Sequence, residues 1–242
     1  MRTLSFLKTL PILLTTAGLT WADPLEVHVG YDPLKATQGV TLERDGQRWQ
    51  VTNEVQVSAL KLLAGHRVTV DGTIDEARVT VHSLISPSLV EHSALLVHAG
   101  TADRPTRIEV GGHVVVAKGP GEYVLRALPA GGQVRLKGYL LEKEGTFVVV
   151  SVRARVKVDA QLQERLGLGG PLVWTRTVHQ AREGEVVWVG APAAVPGRYY
   201  VQPDSGRPGF VALDKLELAQ HAPYVPSAGA SPGLAGTIGV VR

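Results

Sequence analysis

The sequence predicts an all-β protein, and three observations predict it. Apolar and polar residues alternate with period two along most of the chain, the spacing of half-buried strands. The alternating runs are short and are punctuated by Asp-Gly and Gly-rich turns. One segment also occurs twice, as AGHRVTVDGTIDEARVTVHSL over residues 64–84 and as AGGQVRLKGYLLEKEGTFVVVSV over residues 130–152. Ala64, Gly65, Val68, Val70 and Gly72 align with Ala130, Gly131, Val134, Leu136 and Gly138. After two extra residues in the second turn, Val79, Val81 and Ser83 align with Phe147, Val149 and Ser151. A repeat of this length means two copies of one small β unit in tandem.

The first 22 residues read as a targeting segment. Arg2 and Lys8 form a basic start, an apolar stretch begins at Leu10–Leu14, and Thr20-Trp21-Ala22 puts small residues where a signal peptidase reads. The expectation is a signal peptide over residues 1–22, cleaved after Ala22, and a periplasmic or extracellular location. No later apolar stretch approaches the length of a membrane span. Those 22 residues hold two basic side chains and no acid, so the rest carries 23 Lys and Arg against 22 Asp and Glu. This near-neutral balance argues against a global pull toward nucleic acid or anionic lipid; only a local patch can supply one. The chain has no cysteine. An exported form therefore has no disulfides and rests on packing.

Residues 23–90 form the first expected unit. A strand near Leu25–Val29 leads into Val40-Thr-Leu-Glu-Arg44, Asp45-Gly46 and Arg48-Trp49-Gln50-Val51-Thr52, a hairpin with a primed turn. Residues 53–63 suit a short helix carrying Val57, Leu60 and Leu63, and the first repeat copy closes the unit. Residues 91–158 form the second, with a first strand near Ala94–His98. Its hairpin is expected from Val114–Ala117 through Lys118–Gly121 to Tyr123–Ala127, with a connection of only Leu128-Pro129. Trp49 and Tyr123 fall at equivalent places, in phase with Val51 and Leu125, and both are expected in the core. Five strands with an optional helix between the third and fourth is the order of an OB-type barrel.

Val68-x-Val70-x-Gly72-x-Ile74-Asp75, followed by a strand ending Val81-His82-Ser83-Leu84, resembles the end of the bacterial periplasmic OB-fold family. That resemblance implies an exported protein binding small or cationic ligands. The second copy departs from it, with Leu140-Leu141 in place of Ile74-Asp75.

Residues 159–170 are expected to form a short helix and linker. Asp159 suits a helix cap, Leu162 and Leu166 are four apart, and Gly167 can end the helix. Over 171–220, Arg182-Glu-Gly184-Glu-Val-Val-Trp188-Val189-Gly190 precedes Tyr199-Tyr200-Val201-Gln-Pro-Asp204-Ser-Gly206-Arg-Pro-Gly209-Phe210-Val211 and then Leu213–Leu218. This resembles the second half of a bacterial SH3-like domain, without that family's Arg-Ser-Gly loop. Residues 221–242 hold three Pro, four Gly and no acid, the composition of a disordered tail. The expected architecture is two small OB-like barrels in tandem plus a C-terminal SH3-like barrel.

Catalytic signatures are missing: there is no Cys, no Gly-x-Ser-x-Gly, no His-Glu-x-x-His and no phosphate loop. No enzyme activity, metal or other cofactor is expected. The eight histidines lack ligand spacing; His66 and His82 share one expected hairpin but point to different faces. The local chemical signal is basic. Alternation puts Gln133, Arg135 and Lys137 on one strand face, and Arg153, Arg155 and Lys157 on its neighbour's. The five cations suit a polyanion, including single-stranded nucleic acid, or else blunt an exposed sheet face against aggregation. Trp188, Tyr199 and Tyr200 are the aromatic candidates, because rings in small barrels line ligand grooves. The expected function is non-catalytic binding or scaffolding in the cell envelope, with a glycan, a protein or another polyanion as partner. Extracytoplasmic single-stranded nucleic-acid or polyanion binding through the basic face is the alternative.

Overall fold

The protein is all-β. The computed structural model describes residues 19–20, 24–166, 174–193 and 197–218. Most of the expected signal segment and the whole 221–242 tail lie outside the described residues. The chain forms two compact units, residues 1–88 and 89–242.

The first unit comprises β1 (Leu19–Thr20), β2 (Leu25–Gly30), β3 (Thr41–Arg44), β4 (Gln47–Val51), α1 (Glu54–Leu62), β5 (Arg67–Asp75) and β6 (Arg78–Ser86). Its strands run β2-β3-β4-β6-β5 and close back on β2, with β4 and β6 parallel and the other pairs antiparallel. The hairpin turn is the expected one: Asp45 (φ 51°) and Gly46 (φ 78°) both sit in the left-handed region that a primed turn needs. Alternation sends Val27, Val29, Leu42, Trp49, Val51, Val68, Val70, Val79 and Val81 inward. Leu60 and Leu63 from the α1 end are fully buried with them. Asn53 replaces a strand partner before α1: its amide nitrogen donates to the Val81 carbonyl (2.6 Å), and its oxygen accepts the Val81 N–H (3.0 Å). Upstream, Leu19 and Thr20 pair with Ile74 and Thr73 on β5. That pairing lies before the expected cleavage point.

The second unit begins with β7 (Leu89–His98), β8 (Arg107–Val110), β9 (His113–Lys118), α2 (Glu122–Leu125), β10 (Gln133–Leu141) and β11 (Thr146–Val156). These strands repeat the order, β7-β8-β9-β11-β10 closing on β7, again with the third and fifth parallel. The duplication is therefore a duplication of a closed barrel. The second hairpin, however, lies upstream of its expected position. It turns at Gly111 (φ 58°) and Gly112 (φ 83°), and the stretch expected as strand Tyr123–Ala127 is the counterpart of α1. Tyr123 is consequently half exposed, at 49%, while Val124 and Leu125 are buried. Glu122 pins this turn: it accepts the fully buried Thr106 hydroxyl (2.7 Å) and a two-pronged contact from Arg126 (3.0 and 3.1 Å).

Residues beyond 156 continue the same unit. β12 (Ala160–Leu166) pairs with β13 (Trp174–Ala181), β14 (Val186–Pro192) with β15 (Arg198–Pro203), β15 with β16 (Gly209–Ala212), and β16 with β12. A single 3-10 turn, Leu213–Lys215, leads into β17 (Leu216–Leu218). The helix expected within 159–170 is β12 as far as residue 166. Leu162 and Leu166 are four apart, which fits a strand face as well as a helix face, and Ala160 joins Leu162 in the core. Asp159 caps no helix; it accepts the Glu183 N–H (2.8 Å). One core cluster runs from Ala94 on β7 through Val149 and Ala154 on β11 to Val201 and Leu216. Ala160 and Leu162, from the stretch expected as helix and linker, belong to that cluster, and residues 167–170 lie outside the described residues.

Both barrels bend at the repeated glycine. The β5–β6 register shifts between Asp71 and Gly72, and the β10–β11 register between Lys137 and Gly138. A Cβ at Gly72 would lie 2.5 Å from the Thr80 carbonyl oxygen, and one at Gly138 would collide with the Val148 carbonyl and the Phe147 ring. Bulges of this kind let a sheet curl enough to close. Gly72→Ala and Gly138→Ala are each expected to cost about 2–4 kcal/mol, because the contact is backbone and cannot yield. Urea unfolding checks this, and losses below about 0.5 kcal/mol would show that closure does not depend on the glycine.

Candidate functional site

Four of the five predicted cations, Arg135, Lys137, Arg153 and Arg155, lie on the neighbouring strands β10 and β11, and two of them flank Trp188. Arg153 stands opposite Trp188 in the β11–β14 register, and Lys137 pairs with Ser151 on the other edge of β11. The Arg153 guanidinium lies 4.8 Å from the indole centroid and the Lys137 ammonium 5.7 Å from it. Both are within cation–π range. Trp188 is only 8% exposed, so its ring is sandwiched rather than presented to a ligand. Arg153 is also bound two-pronged by Asp204 from the β15–β16 loop (3.0 and 2.7 Å). Arg135 sits 3.7 Å from Glu91. Arg155, opposite Glu217 in the β11–β17 register, and Lys157 are exposed. The alternation was read correctly, but much of the charge ties β10, β11, β14 and the 204–206 loop together.

The aromatic candidates do not converge. Adjacent residues on a strand point to opposite faces. Tyr199 packs against the core, and Tyr200 is 51% exposed. Tyr200 instead opens onto a groove of about 490 Å³ formed by β12, β13, β14, β15 and β16. Its register partner Phe210, with Val178, Pro192 and Pro208, supplies the apolar wall, and Arg207 stands at the rim. Gln163 and Glu164 line the β12 side. Glu164 is held by Arg176 (2.9 and 3.1 Å), and Gln163 accepts from Arg198, whose guanidinium lies 5.6 Å from the Phe210 centroid. The polar groups of the wall are thus engaged in holding strands, leaving an apolar platform with one half-exposed tyrosine.

Of the residues lining this groove the sequence reading named only Tyr200 as a candidate, because the others come from neighbouring strands. A signal was present: Tyr200 and Phe210 flank one loop, Asp204–Pro208, at positions that a hairpin brings face to face.

A larger cleft, about 830 Å³, lies on the first barrel among Glu26, His28, Glu43, Arg44, Arg48 and Arg67. It offers little apolar surface, and its ion pairs Arg48–Glu43 (3.0 Å) and Arg44–Asp45 (3.1 Å) are exposed. Such pairs are worth little energetically and are easily hydrated.

The histidines stay apart. His66 is buried, and His82 is exposed with its Nε2 2.9 Å from the Thr73 hydroxyl. His92 packs edge-on to Phe147, and burial pulls its pKa below the ordinary value, favouring a neutral ring. His179 Nε2 donates to the Glu185 carboxylate (3.0 Å), which also accepts the Arg182 N–H (3.0 Å) and so clasps the β13–β14 turn. Among the described residues no three His, Asp or Glu side chains are placed to share a metal ion. No helix among them is long and apolar enough to cross a membrane.

Comparison with protein-family models, with curated proteins and with solved structures finds no match to this chain.

The Arg153–Asp204 pair is partly solvated, which limits its contribution to about 0.5–1 kcal/mol. Asp204→Ala is expected to destabilise the protein by that amount and to raise the salt needed to elute it from heparin, because Arg153 is released. Unchanged elution would mean that Arg153 is already available to anions with the pair intact.

Proposed function

We propose that this protein is an exported, non-catalytic binding or scaffolding module of the cell envelope, and that its ligand seats in the Tyr200 groove. The observation that carries this reading is the groove itself. It pairs a half-exposed tyrosine with Phe210, Pro192, Pro208 and Val178, while its polar wall residues are tied to neighbouring strands. Binding sites combine an apolar majority with a few polar groups in this way. Arg207 and the Tyr200 hydroxyl are the groups that would orient a glycan or a peptide.

The fold readings support the same function class. Two closed barrels with a helix between the third and fourth strands support the OB-like assignment. The 3-10 turn before the closing β17 supports the SH3-like assignment. Both architectures serve binding on many unrelated proteins, so function rests on the groove rather than on the fold. The N-terminal basic-apolar pattern supports export.

Polyanion or single-stranded nucleic-acid binding is the second reading. It would rest chiefly on Arg155 and Lys157, since Arg153, Lys137 and Arg135 have partners close by. Arg155 and Lys157 alone give a small electrostatic footprint.

Two measurements test the preferred reading. Sequencing of the exported protein is expected to start at Asp23, and a mature chain that retains residues 1–22 would remove the export claim. Tyr200→Ala is expected to lower retention on purified envelope glycan and its peptides about tenfold or more. Its melting temperature should move by no more than roughly 2 °C, because the side chain is half in solvent. Retention equal to that of the wild type would place binding elsewhere.

A further inference from the structure

The cleft on the first barrel is a gap in a β ladder. The Val29 N–H donates to the His66 carbonyl (3.0 Å), and the Val29 carbonyl accepts the Gly65 N–H (2.9 Å), so the Val29 peptide groups point toward the β5 side. Val27 and Leu25, at alternate positions, meet Val68 and Val70 on that same edge. Backbone groups alternate between the two edges of a strand, so those of Glu26, His28 and Gly30 point toward β3. Gly30 and His28 find Thr41 and Glu43 there, and the ladder then stops. In the second barrel it runs one residue further: Ala94, the counterpart of Val27, is paired with Val110. In the first, residues 44–47 stand away from β2, and the cleft of about 830 Å³ lies between them. The Glu26 N–H and C=O open into that gap without a backbone partner among the described residues. An unpaired rung on a strand edge is a template for an extended chain.

The inner end of the gap is basic. Arg67, His28, Glu43 and Arg48 form one line across β5, β2, β3 and β4, and close it off. Arg44 stands on the hairpin side. Of the nearby carboxylates, Glu43 and Asp45 are already held, by Arg48 (3.0 Å) and Arg44 (3.1 Å). Arg67 is exposed and stands in no ion pair among the described residues. A chain paired to Glu26 cannot continue past it, because β3 takes the next rung at His28. Such a chain must end there, beside Arg67 and Arg48. A carboxylate terminus suits this position, since a guanidinium takes both of its oxygens through parallel N–H donors. An ammonium terminus would meet like charge. The exposed Glu26 side chain favours Lys or Arg on the residue that lies alongside it.

We propose that this cleft binds the free C-terminal end of an extended peptide, its backbone paired to the Glu26 rung and its carboxylate at Arg67. The peptide then runs parallel to β2, in the way that β6 runs beside β4. The site shares no residue with the Tyr200 groove and stands or falls apart from it.

The test uses the full chain and the peptide Ala-Ala-Lys-Ala, titrated as the free acid and as the C-terminal amide. The free acid is expected to bind at least ~10-fold more tightly than the amide. Its addition is expected to slow hydrogen exchange at the Glu26 amide at least ~10-fold, a readout of the backbone rung itself. Arg67→Ala is expected to weaken the free acid about 10-fold and to leave the melting temperature within roughly 2 °C, because the side chain lies in solvent. Equal binding of acid and amide, binding of neither, or unchanged exchange at Glu26 overturns the proposal. So does binding that Tyr200→Ala abolishes and Arg67→Ala spares, which would put the peptide in the other groove.

Discussion

One strand carries the larger unit. Thr146–Val156 is eleven residues long, and eight of its side chains are buried. Its first half pairs with β9 and β10 and closes the second barrel. Its second half pairs with β14 on one edge and β17 on the other. A strand with partners on both edges along its length has no exposed hydrogen-bonding row. The described strands after residue 156 are built outward from it, including those that form the groove. Valine dominates it, a β-branched residue suited to a strand covered on both faces.

The repeated glycine supplies the complementary constraint. A barrel of five strands is tight, and its fourth strand must bend sharply to meet both the first and the fifth. In each copy the register slips at that glycine, and a Cβ there would run into the facing backbone. The two copies otherwise differ considerably. Ile74-Asp75 becomes Leu140-Leu141, nine-residue α1 becomes four-residue α2, and the cations are concentrated in the second copy. Closure geometry is what they share.

Much of this was legible from local rules, and the exceptions have physical causes. Asp45-Gly46 announced its hairpin because both residues tolerate the left-handed region, and Trp49 alternated cleanly into the core. The second hairpin was less readable: Val114, Val115 and Val116 form an apolar run with no period, so Gly119–Gly121 competed with Gly111-Gly112 for the turn. Gly121 proved to be where α2 starts, fixed by its N–H to the Val149 carbonyl (2.9 Å). The misread β12 shows a different ambiguity. Leucines four apart satisfy periods of 2 and 3.6 alike, and pairing with β13 and β16 decided between them. The basic strands were legible as a face, but the fate of that face was not. Asp204 comes from a loop 51 residues away, and only the fold places it on Arg153.

The shared strand changes how this protein can be cut and how force passes through it. The composition break near residue 159 invites separation of the second barrel as a fragment. Such a fragment would keep Ser151–Val156 but lose β14 and β17, baring both edges of an apolar strand end. Bare edges recruit one another, so the fragment would aggregate or polymerise even with its barrel intact. Conversely, a pull on β14–β16 is borne directly by the ladder of the second barrel, so sheet and barrel would yield as one cooperative body.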